Sequence, residues 1–203
     1  MQKTAVRKTG DTATSKNHHK KSQPNKSQPA AAERPGSWHL ARTETERLLS
    51  DFEFGLERLA QAYYRWKAAC LAAVCDVPLT GDDVAVLNVV RMGDEPKRLS
   101  EIGQLLNRVD VPNLQYATRK LVRVGLIETE GRSSRKETRY RATATGRSVT
   151  EAYAALRAAT LPPMLDALDG WPAKSETTRI QLDLLSSLYA QAAQVAITKR
   201  HQP

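Results

Sequence analysis

The stretch DVPNLQYATRKLVRVGLIETEGRSSRKETRYR, residues 110–141, decides the fold because it combines a helix, a glycine stop and two short strands. Asp110 is a good N-cap, since its carboxylate can accept from the free N–H groups of a first turn. Pro112 suits that turn, where no intrahelical N–H is needed, and Gly125 is placed to adopt the left-handed conformation that closes a helix. The sequence therefore predicts one helix between Asp110 and Gly125.

The two faces of this helix differ in chemistry. Apolar residues recur at helical spacing on one face, namely Leu114, Ala117, Leu121 and Val122. Amide, phenol and cationic groups make the other face, namely Asn113, Tyr116, Arg119, Lys120 and Arg123. Residues 126–127 and 138–141 predict two strands around the basic turn GRSSRK. A polar helix face beside a cationic hairpin can read DNA in one groove and grip phosphates next to it, so the stretch predicts a winged helix-turn-helix.

The preceding segment predicts the other helices of the same domain. Thr80 starts a helix that runs to about Met92, and residues 91–96 form a turn. A short helix opens at residues 99–102, with Ser100 as its expected N-cap. Its expected core face is Ile102, Leu105 and Leu106. Residues 107–109 make a tight turn into the next helix, which is the order of a helix-turn-helix.

A long helix is predicted over residues 43–75, with Thr43 and Glu46 as a capping box and Val77-Pro78 at its end. Its apolar stripe is Leu48, Phe52, Leu56, Leu59, Tyr63, Trp66, Cys70 and Val74. Roughly thirty residues at about 1.5 Å per residue exceed the length that one small domain needs. The stripe is therefore expected to be continuously buried, with the surplus length in a subunit interface.

Two helical segments are expected after the hairpin. One runs from about residue 147 to 160, where Pro162-Pro163 breaks it, and a short turn follows at 164–168. After a break at 170–172, the last helix covers residues 175–199. Its stripe is Ile180, Leu184, Leu188, Ala192 and Val195. The sequence thus predicts a mainly α protein with a small β-hairpin, in which dimerisation helices (43–75 and 147–199) flank a winged helix-turn-helix (80–146).

The net charge of +9 is concentrated in two segments. Residues 1–42 hold 9 Lys or Arg against 2 acidic residues and residues 97–147 hold 12 against 5, whereas the rest of the chain holds 10 against 15. Cations clustered in this way indicate a nucleic-acid-binding face. Residues 1–40 are polar and basic, so they predict a disordered tail, which is either a salt-sensitive DNA-binding arm or a solubilising segment.

Composition disfavours several other classes. No apolar run approaches the ~20 residues of a membrane span and no secretory signal is present, so a cytoplasmic, nucleoid-associated protein is expected. No phosphate-binding glycine loop and no zinc spacing occur, so neither an enzyme nor a cofactor nor a metal site is expected. Cys70 and Cys75 are expected to be small core residues. Trp38, Trp66 and Trp171 either line a ligand pocket or serve as packing residues.

The combined pattern resembles the MarR family of bacterial winged-helix regulators, over about residues 43–199. The motifs that carry the resemblance are LSEIGQLLN (99–107), RKLVRVGLIE (119–128) and RATATG (141–146). The family typically shows a leucine, a glycine and an aliphatic pair where Leu121, Gly125 and Leu126-Ile127 stand, and Thr-x-x-Gly where Thr143 and Gly146 stand. The resemblance implies a homodimer that binds double-stranded DNA. A small-molecule effector and, in some members, an oxidant-sensing thiol are implied by the resemblance alone.

This chain departs from the family pattern in two places. The usual Asp-x-Arg near the wing tip is replaced by SRK at 134–136, so the bracing carboxylate is missing and Lys stands where Arg is usual. The recognition helix carries Asn113, Gln115 and Tyr116 where many members have small hydroxyl residues and an arginine. The DNA sequence read is therefore expected to differ from the family's commonest one.

The expected DNA contacts divide by chemistry. Asn113 and Gln115 suit adenine N6 and N7, and Tyr116 suits a thymine methyl group or a phosphate. Phosphate or minor-groove contacts are expected from Arg119, Lys120, Arg132, Arg135 and Lys136. The alternative for each is a solvated helix face or a charged surface turn.

The sequence favours a homodimeric, sequence-specific transcriptional regulator on a pseudo-palindromic operator with half-sites about one turn, ~10 bp, apart. A regulating ligand would have to shift the spacing between the two recognition helices. The alternatives are a winged-helix protein-interaction module and a non-specific architectural DNA or RNA binder.

Overall fold

The computed structural model describes residues 39–131 and 138–200, so most of the predicted tail lies outside the described residues. The chain divides into two compact units, residues 1–50 and 51–203. The described part of the first unit holds the start of helix α1 (Glu44–Ala72). There Thr43 Oγ1 accepts from Glu46 N at 3.2 Å, and Glu46 Oε2 accepts from Thr43 N at 2.9 Å, so the predicted capping box is confirmed.

The second unit carries the rest of α1 and all the later elements of the described chain. These are α2 (Gly81–Arg91), β1 (Lys97–Arg98), α3 (Leu99–Leu105), α4 (Val111–Arg123), β2 (Ile127–Glu130), β3 (Arg139–Ala142), α5 (Ala144–Asp166) and α6 (Trp171–Arg200). The strands form an antiparallel sheet in the order β1-β3-β2. Ile127 pairs with Ala142 and Glu130 with Arg139, so the predicted pair of strands is confirmed. β1 is not predicted, because two residues are too few to show a strand period.

The core of the second unit surrounds α2, which packs against α4, α5 and β3. α2 contributes Val84, Val86, Leu87 and Val90, each at most 1% exposed. The other fully buried aliphatic side chains around them include Leu71, Ile102, Leu121, Leu126 and Ile127. Each such side chain stabilises the fold by about 1.5–3 kcal/mol relative to exposure. The cluster therefore fixes one face of α4 against α2 and leaves the opposite face turned outward.

The N-terminus of α2 begins where the sequence predicts. Thr80 Oγ1 accepts from Asp83 N at 3.2 Å, and Asp83 Oδ2 accepts from Thr80 N at 2.9 Å. This reciprocal pair satisfies two polar groups at the helix start. It also places the Asp83 carboxylate, only 3% exposed as a residue, beneath α4.

Helix α3 differs from expectation at its start and on its core face. Ser100 is not the N-cap, because the helix begins at Leu99 and Glu101 Oε2 accepts from Arg98 N at 2.7 Å. β1 ends at Arg98, so the extended strand residue itself becomes the cap. Leu105 is 52% exposed, while Ile102 is buried and Leu106 packs partly against the core.

The helix boundaries after the sheet are also corrected. α5 begins at Ala144 and continues through Pro162 and Pro163 to Asp166, so the predicted break at the prolines is wrong. Proline lacks one N–H donor but keeps a φ that a helix accepts, so the chain can continue at a cost. The break comes at Gly170, whose φ is 68°, and α6 begins at Trp171 rather than at residue 175. α1 in turn ends at Ala72 rather than at residue 75.

The apolar stripes of α1 and α6 are largely exposed in the single chain. On α1, the stripe residues that are 37–60% exposed are Leu48, Phe52, Leu56, Leu59 and Tyr63. On α6, the stripe residues that are 49–59% exposed include Ile180, Leu184, Leu188 and Val195. The continuous burial predicted for the α1 stripe is therefore wrong within one chain, although Cys70 lies in the core. No described helix combines the length and apolar character that a membrane crossing requires.

Candidate nucleic-acid interface

Which side chains of α4 are buried depends on their position around the helix, and not on whether they are polar. Leu114, Ala117, Thr118 and Leu121 are buried. Thr118 lies four residues after Leu114 on the same face, and its hydroxyl donates to Leu114 O at 3.1 Å, so its burial leaves no unpaired group. Val122, which the sequence places on the apolar stripe, is 36% exposed at the edge of that face.

The side chain of Asp110 does not cap α4 as the sequence predicts. Asp110 occupies the N-cap position, but its carboxylate makes no capping hydrogen bond. Instead Arg108 Nε donates to Oδ1 at 2.9 Å, Arg108 Nη2 donates to Oδ2 at 2.7 Å, and Asn113 Nδ2 donates to Oδ2 at 3.1 Å. A two-pronged guanidinium is a stronger partner than a neutral N–H. These contacts, above all those of Arg108, hold the pKa of the Asp110 carboxyl well below its ordinary value.

The C-terminus of α4 ends as predicted. Gly125 has a φ of 74°, the left-handed conformation that glycine adopts without strain. Gly125 N donates to Val122 O at 3.0 Å, and Leu126 N donates to Leu121 O at 3.0 Å. These two bonds satisfy the last carbonyl groups of α4 and turn the chain directly into β2.

The outward face of α4 brings most of the sequence-predicted residues together. Asn113, Tyr116, Arg119 and Arg123 are exposed, with Tyr116 63% exposed, and Gln115 is half-buried at the edge. Arg119 Nε donates to Gln115 O at 3.1 Å, which holds the stem of that cation along the helix. An amide, a phenol and two guanidinium groups therefore line one surface about three turns long, a set suited to base edges and phosphates.

Lys120 does not join that surface. Its Nζ lies 2.7 Å from Asp83 Oδ2, and the two side chains are only 17% and 5% exposed. An ammonium group paired with a buried carboxylate is held away from any phosphate, since breaking such a pair leaves a charge without a partner. Lys120 is therefore corrected from an expected phosphate contact to a residue that fastens α4 onto α2.

The strands of the wing are described, but its tip is not. Arg141 Nε donates to Glu128 Oε1 at 2.8 Å, and Arg139 Nη1 donates to Pro96 O at 3.1 Å, so both strand arginines are held within the sheet region. The expected wing contacts Arg132, Arg135 and Lys136 lie outside the described residues.

Sequence reasoning missed two features beside this surface. Arg98 is exposed on β1, opposite Arg139 in the sheet register, so the unpredicted strand adds a cation next to the wing. Arg108, in the turn before α4, links Asp110 with Asp82, whose Oδ1 lies 3.3 Å from Arg108 Nη1. The Arg-x-Asp-x-x-Asn spacing of residues 108–113 was the available signal for this arrangement.

A separate cavity of about 520 Å³ lies between α1, α2 and α5. It is lined by residues that include Tyr63, Trp66, Asn88, Arg91, Tyr153 and Arg157. Arg91 Nη1 pairs with Asp94 and Nη2 lies 3.4 Å from Glu151, while Arg91 Nε is the one buried side-chain polar atom of the described residues without a hydrogen-bond partner. Of the three tryptophans considered from the sequence, Trp66 lines this cavity and Trp171 does not. Trp38 lies outside the described residues.

Neither cysteine forms a disulfide in the described chain. Cys70 is 6% exposed, and burial raises the pKa of its thiol. Its Sγ lies 3.9 Å from Tyr153 O, whereas Cys75 is only partly buried. Cys70 is therefore a core residue, in agreement with the interpretation made from the sequence.

Comparison with known proteins agrees with the winged-helix fold. Residues 79–146 match the family of winged helix DNA-binding domains. Among curated proteins, no sequence matches the chain.

Solved structures share the fold. Reduced AbfR of Staphylococcus epidermidis bound to DNA is 20% identical with a TM-score of 0.57, covering 71% of this chain and 99% of its own. A MarR family transcriptional regulator from Streptomyces coelicolor is 19% identical with a TM-score of 0.55, covering 69% and 95%. Staphylococcus aureus MarR in complex with salicylate and kanamycin is 13% identical with a TM-score of 0.55, covering 72% and 96%.

Residues 79–146 therefore have the winged-helix fold. The resemblance to the MarR family is confirmed, since the chain has the fold of MarR family transcriptional regulators.

Proposed function

We propose that this chain is a homodimeric transcriptional regulator that reads double-stranded DNA with α4 in the major groove. The observation that carries the proposal is the outward face of α4, where Asn113, Tyr116 and Arg119 are exposed while the opposite face is buried. A rigidly seated helix with amide, phenol and guanidinium groups outward can form hydrogen bonds with base edges and phosphates. The wing cations Arg132, Arg135 and Lys136 would contact phosphates or the minor groove beside it.

The exposed stripes of α1 and α6 support the homodimer. Rows of half-exposed leucine, phenylalanine and isoleucine side chains on two long helices are a surface that a soluble protein ordinarily covers. A second copy of the chain supplies the same stripes related by a two-fold axis. Such symmetry would present two copies of α4 to an inverted-repeat operator.

A charge placed in the α1 stripe should dissociate the dimer. Leu59 is 60% exposed in the single chain, and Leu59→Glu would bury an unpaired carboxylate in the interface, raising the dimer dissociation constant by at least about 100-fold. Gln61→Glu adds the same charge on the opposite face of α1 and should leave the dimer intact. Sedimentation equilibrium of both variants measures this. An unchanged dimer in Leu59→Glu would exclude this stripe as the interface.

The proposal is tested by selecting bound sequences from a pool of random DNA duplexes at two salt concentrations. Enrichment of one inverted repeat that survives the higher salt is expected for a dimeric sequence reader. Binding without an enriched sequence, lost steeply as salt increases, would instead indicate a non-specific binder. No binding to any duplex would leave the protein-interaction module as the better explanation of the fold.

Truncation of the outward face should lower specific affinity selectively. Asn113→Ala and Tyr116→Ala are each expected to weaken binding to the selected operator by about 1–3 kcal/mol, because each removes contacts with base edges. Binding of the same variants to a scrambled duplex serves as the control and should barely change. Fluorescence anisotropy at fixed salt measures both affinities, and equal losses on the two duplexes would contradict base readout.

We further propose that the 520 Å³ cavity receives an aromatic, anionic effector. Its aromatic walls and the lining cations Arg91 and Arg157 suit such a molecule. Because the cavity touches both α1 and α2, an occupant can bias their relative position. Salicylate, present in the solved structure of Staphylococcus aureus MarR, is a suitable probe. It should raise the thermal midpoint and weaken operator binding in the wild type, and Trp66→Ala should abolish both effects. Salicylate effects that persist in Trp66→Ala would contradict this assignment.

A further inference from the structure

We propose that Asp110, held by Arg108, is a positioning residue that sets the orientation of the Asn113 carboxamide and thereby the base that α4 prefers. This inference rests on the proposed function, since it concerns how α4 reads DNA. It follows from the hydrogen bonds that join the turn before α4 to its first exposed amide.

The carboxylate of Asp110 can only accept hydrogen bonds, which constrains its neighbour. Asn113 Nδ2 donates to Asp110 Oδ2 at 3.1 Å, whereas the reversed amide would place two acceptors against each other. The depressed pKa of Asp110 keeps the carboxylate ionised, so the constraint persists across the physiological pH range. Asn113 therefore keeps its carbonyl oxygen and one N–H free for a base, the pair that adenine N6 and N7 match.

Arg108 fixes the carboxylate in turn. Its guanidinium binds both oxygens of Asp110 at 2.7 and 2.9 Å, and Nη1 reaches Asp82 Oδ1 on α2 at 3.3 Å. Its backbone is also held, because Arg108 N donates to Gly103 O at 2.8 Å. The Arg108 side chain is only 18% exposed, and its guanidinium group lies between two carboxylates. This cation therefore supports the start of α4 instead of facing DNA.

The network therefore runs from Asp82 on α2 through Arg108 and Asp110 to Asn113, entirely within the second unit.

The test uses the full chain and operators derived from the selected inverted repeat. The base pair read by Asn113 is located as the position where Asn113→Ala loses its preference, and the ratio of dissociation constants is then measured for A·T and G·C at that position. Asp110→Asn permits either amide orientation, so it should reduce the preference about tenfold, as Asn113→Ala does. The double variant should lose no more than Asn113→Ala alone, because both act through one contact.

Charge and stability controls separate positioning from a general defect. Asp110→Asn removes a negative charge and should tighten binding to a scrambled duplex, which a merely structural loss would not do. Arg123→Gln removes an exposed cation of α4 and should weaken both operators equally, leaving the base preference unchanged. Arg108→Gln should lower the preference while its thermal midpoint stays within a few degrees of the wild type.

The outcomes are distinguishable from failure of the proposed function. An Asp110→Asn variant that keeps the wild-type preference, or whose loss multiplies with that of Asn113→Ala, overturns the positioning role while sequence-specific binding stands. If Asn113→Ala alters no base preference, Asn113 reads no base and the inference is overturned. If the wild type enriches no sequence, the proposed function itself fails.

Discussion

Replacing Gly146 by alanine is expected to lower the free energy of unfolding by roughly 3–5 kcal/mol, a large part of the ~5–15 kcal/mol that holds a typical domain folded. A Cβ atom at this position would lie 1.9 Å from Leu126 O and 2.9 Å from the carbonyl carbon of the same residue. Leu126 is 1% exposed, and its carbonyl oxygen also accepts from Thr143 N at 3.1 Å. The start of α5 would therefore have to separate from the Leu126 backbone, just before β2, to relieve the contact.

Urea denaturation followed by circular dichroism measures this loss. Thr145→Ala, an exposed change one residue away in the same helical turn, is the matched control and should stay within about 0.5 kcal/mol of the wild type. A Gly146→Ala protein as stable as its control would show that α5 can move away from Leu126 without cost, which would contradict the close packing of Gly146 on the Leu126 carbonyl group.

Replacing Lys120 by methionine is expected to cost about 3 kcal/mol of stability, because the buried Asp83 carboxylate then loses its cation. Methionine keeps an unbranched apolar stem of similar length, so the loss isolates the charge. Asp83 would retain its hydrogen bonds from Thr80 N and Thr80 Oγ1, at 2.9 and 3.0 Å, which only partly compensate. Lys120→Met should therefore lower the free energy of unfolding more than it lowers the affinity for DNA.

Arg119→Met is the matched control for this experiment, since Arg119 is the adjacent but exposed cation of α4. It should lower operator affinity and change stability by less than about 0.5 kcal/mol. The double variant Lys120→Met/Asp83→Asn should recover part of the stability, because it removes both charges of the pair. If Lys120→Met instead weakened DNA binding and left stability intact, the phosphate contact expected from the sequence would be restored.

Several features of the fold could be predicted because their physics is local. Gly125 closes α4 through a backbone conformation that glycine adopts most easily, and the Thr43–Glu46 capping box needs only residues three apart. The Thr-x-x-Gly run could be recognised, but its role appears only in three dimensions. Thr143 caps α5 by accepting from Gly146 N at 3.0 Å, while Gly146 admits Leu126 O.

The candidate interface was predictable in composition but not in pairing. Helical periodicity correctly separates exposed Asn113, Tyr116 and Arg119 from buried Leu114 and Leu121. The same periodicity cannot show which exposed-looking cation meets a carboxylate 37 residues away, as Lys120 does with Asp83. Nor can it show that the Asp110 carboxylate turns toward Arg108 instead of capping its own helix.

By itself, the sequence determined the winged helix-turn-helix order, the two strands of the wing and the amphipathic character of the long helices, because these depend on caps, turns and short-range periods. Tertiary structure alone decided the added strand β1, the continuation of α5 through Pro162 and Pro163, and the assignment of Lys120 to the fold. It also left the α1 stripe uncovered within one chain. The physical reason is that a side chain's partner is chosen by packing between elements distant in sequence, whereas a period records only which face a residue occupies.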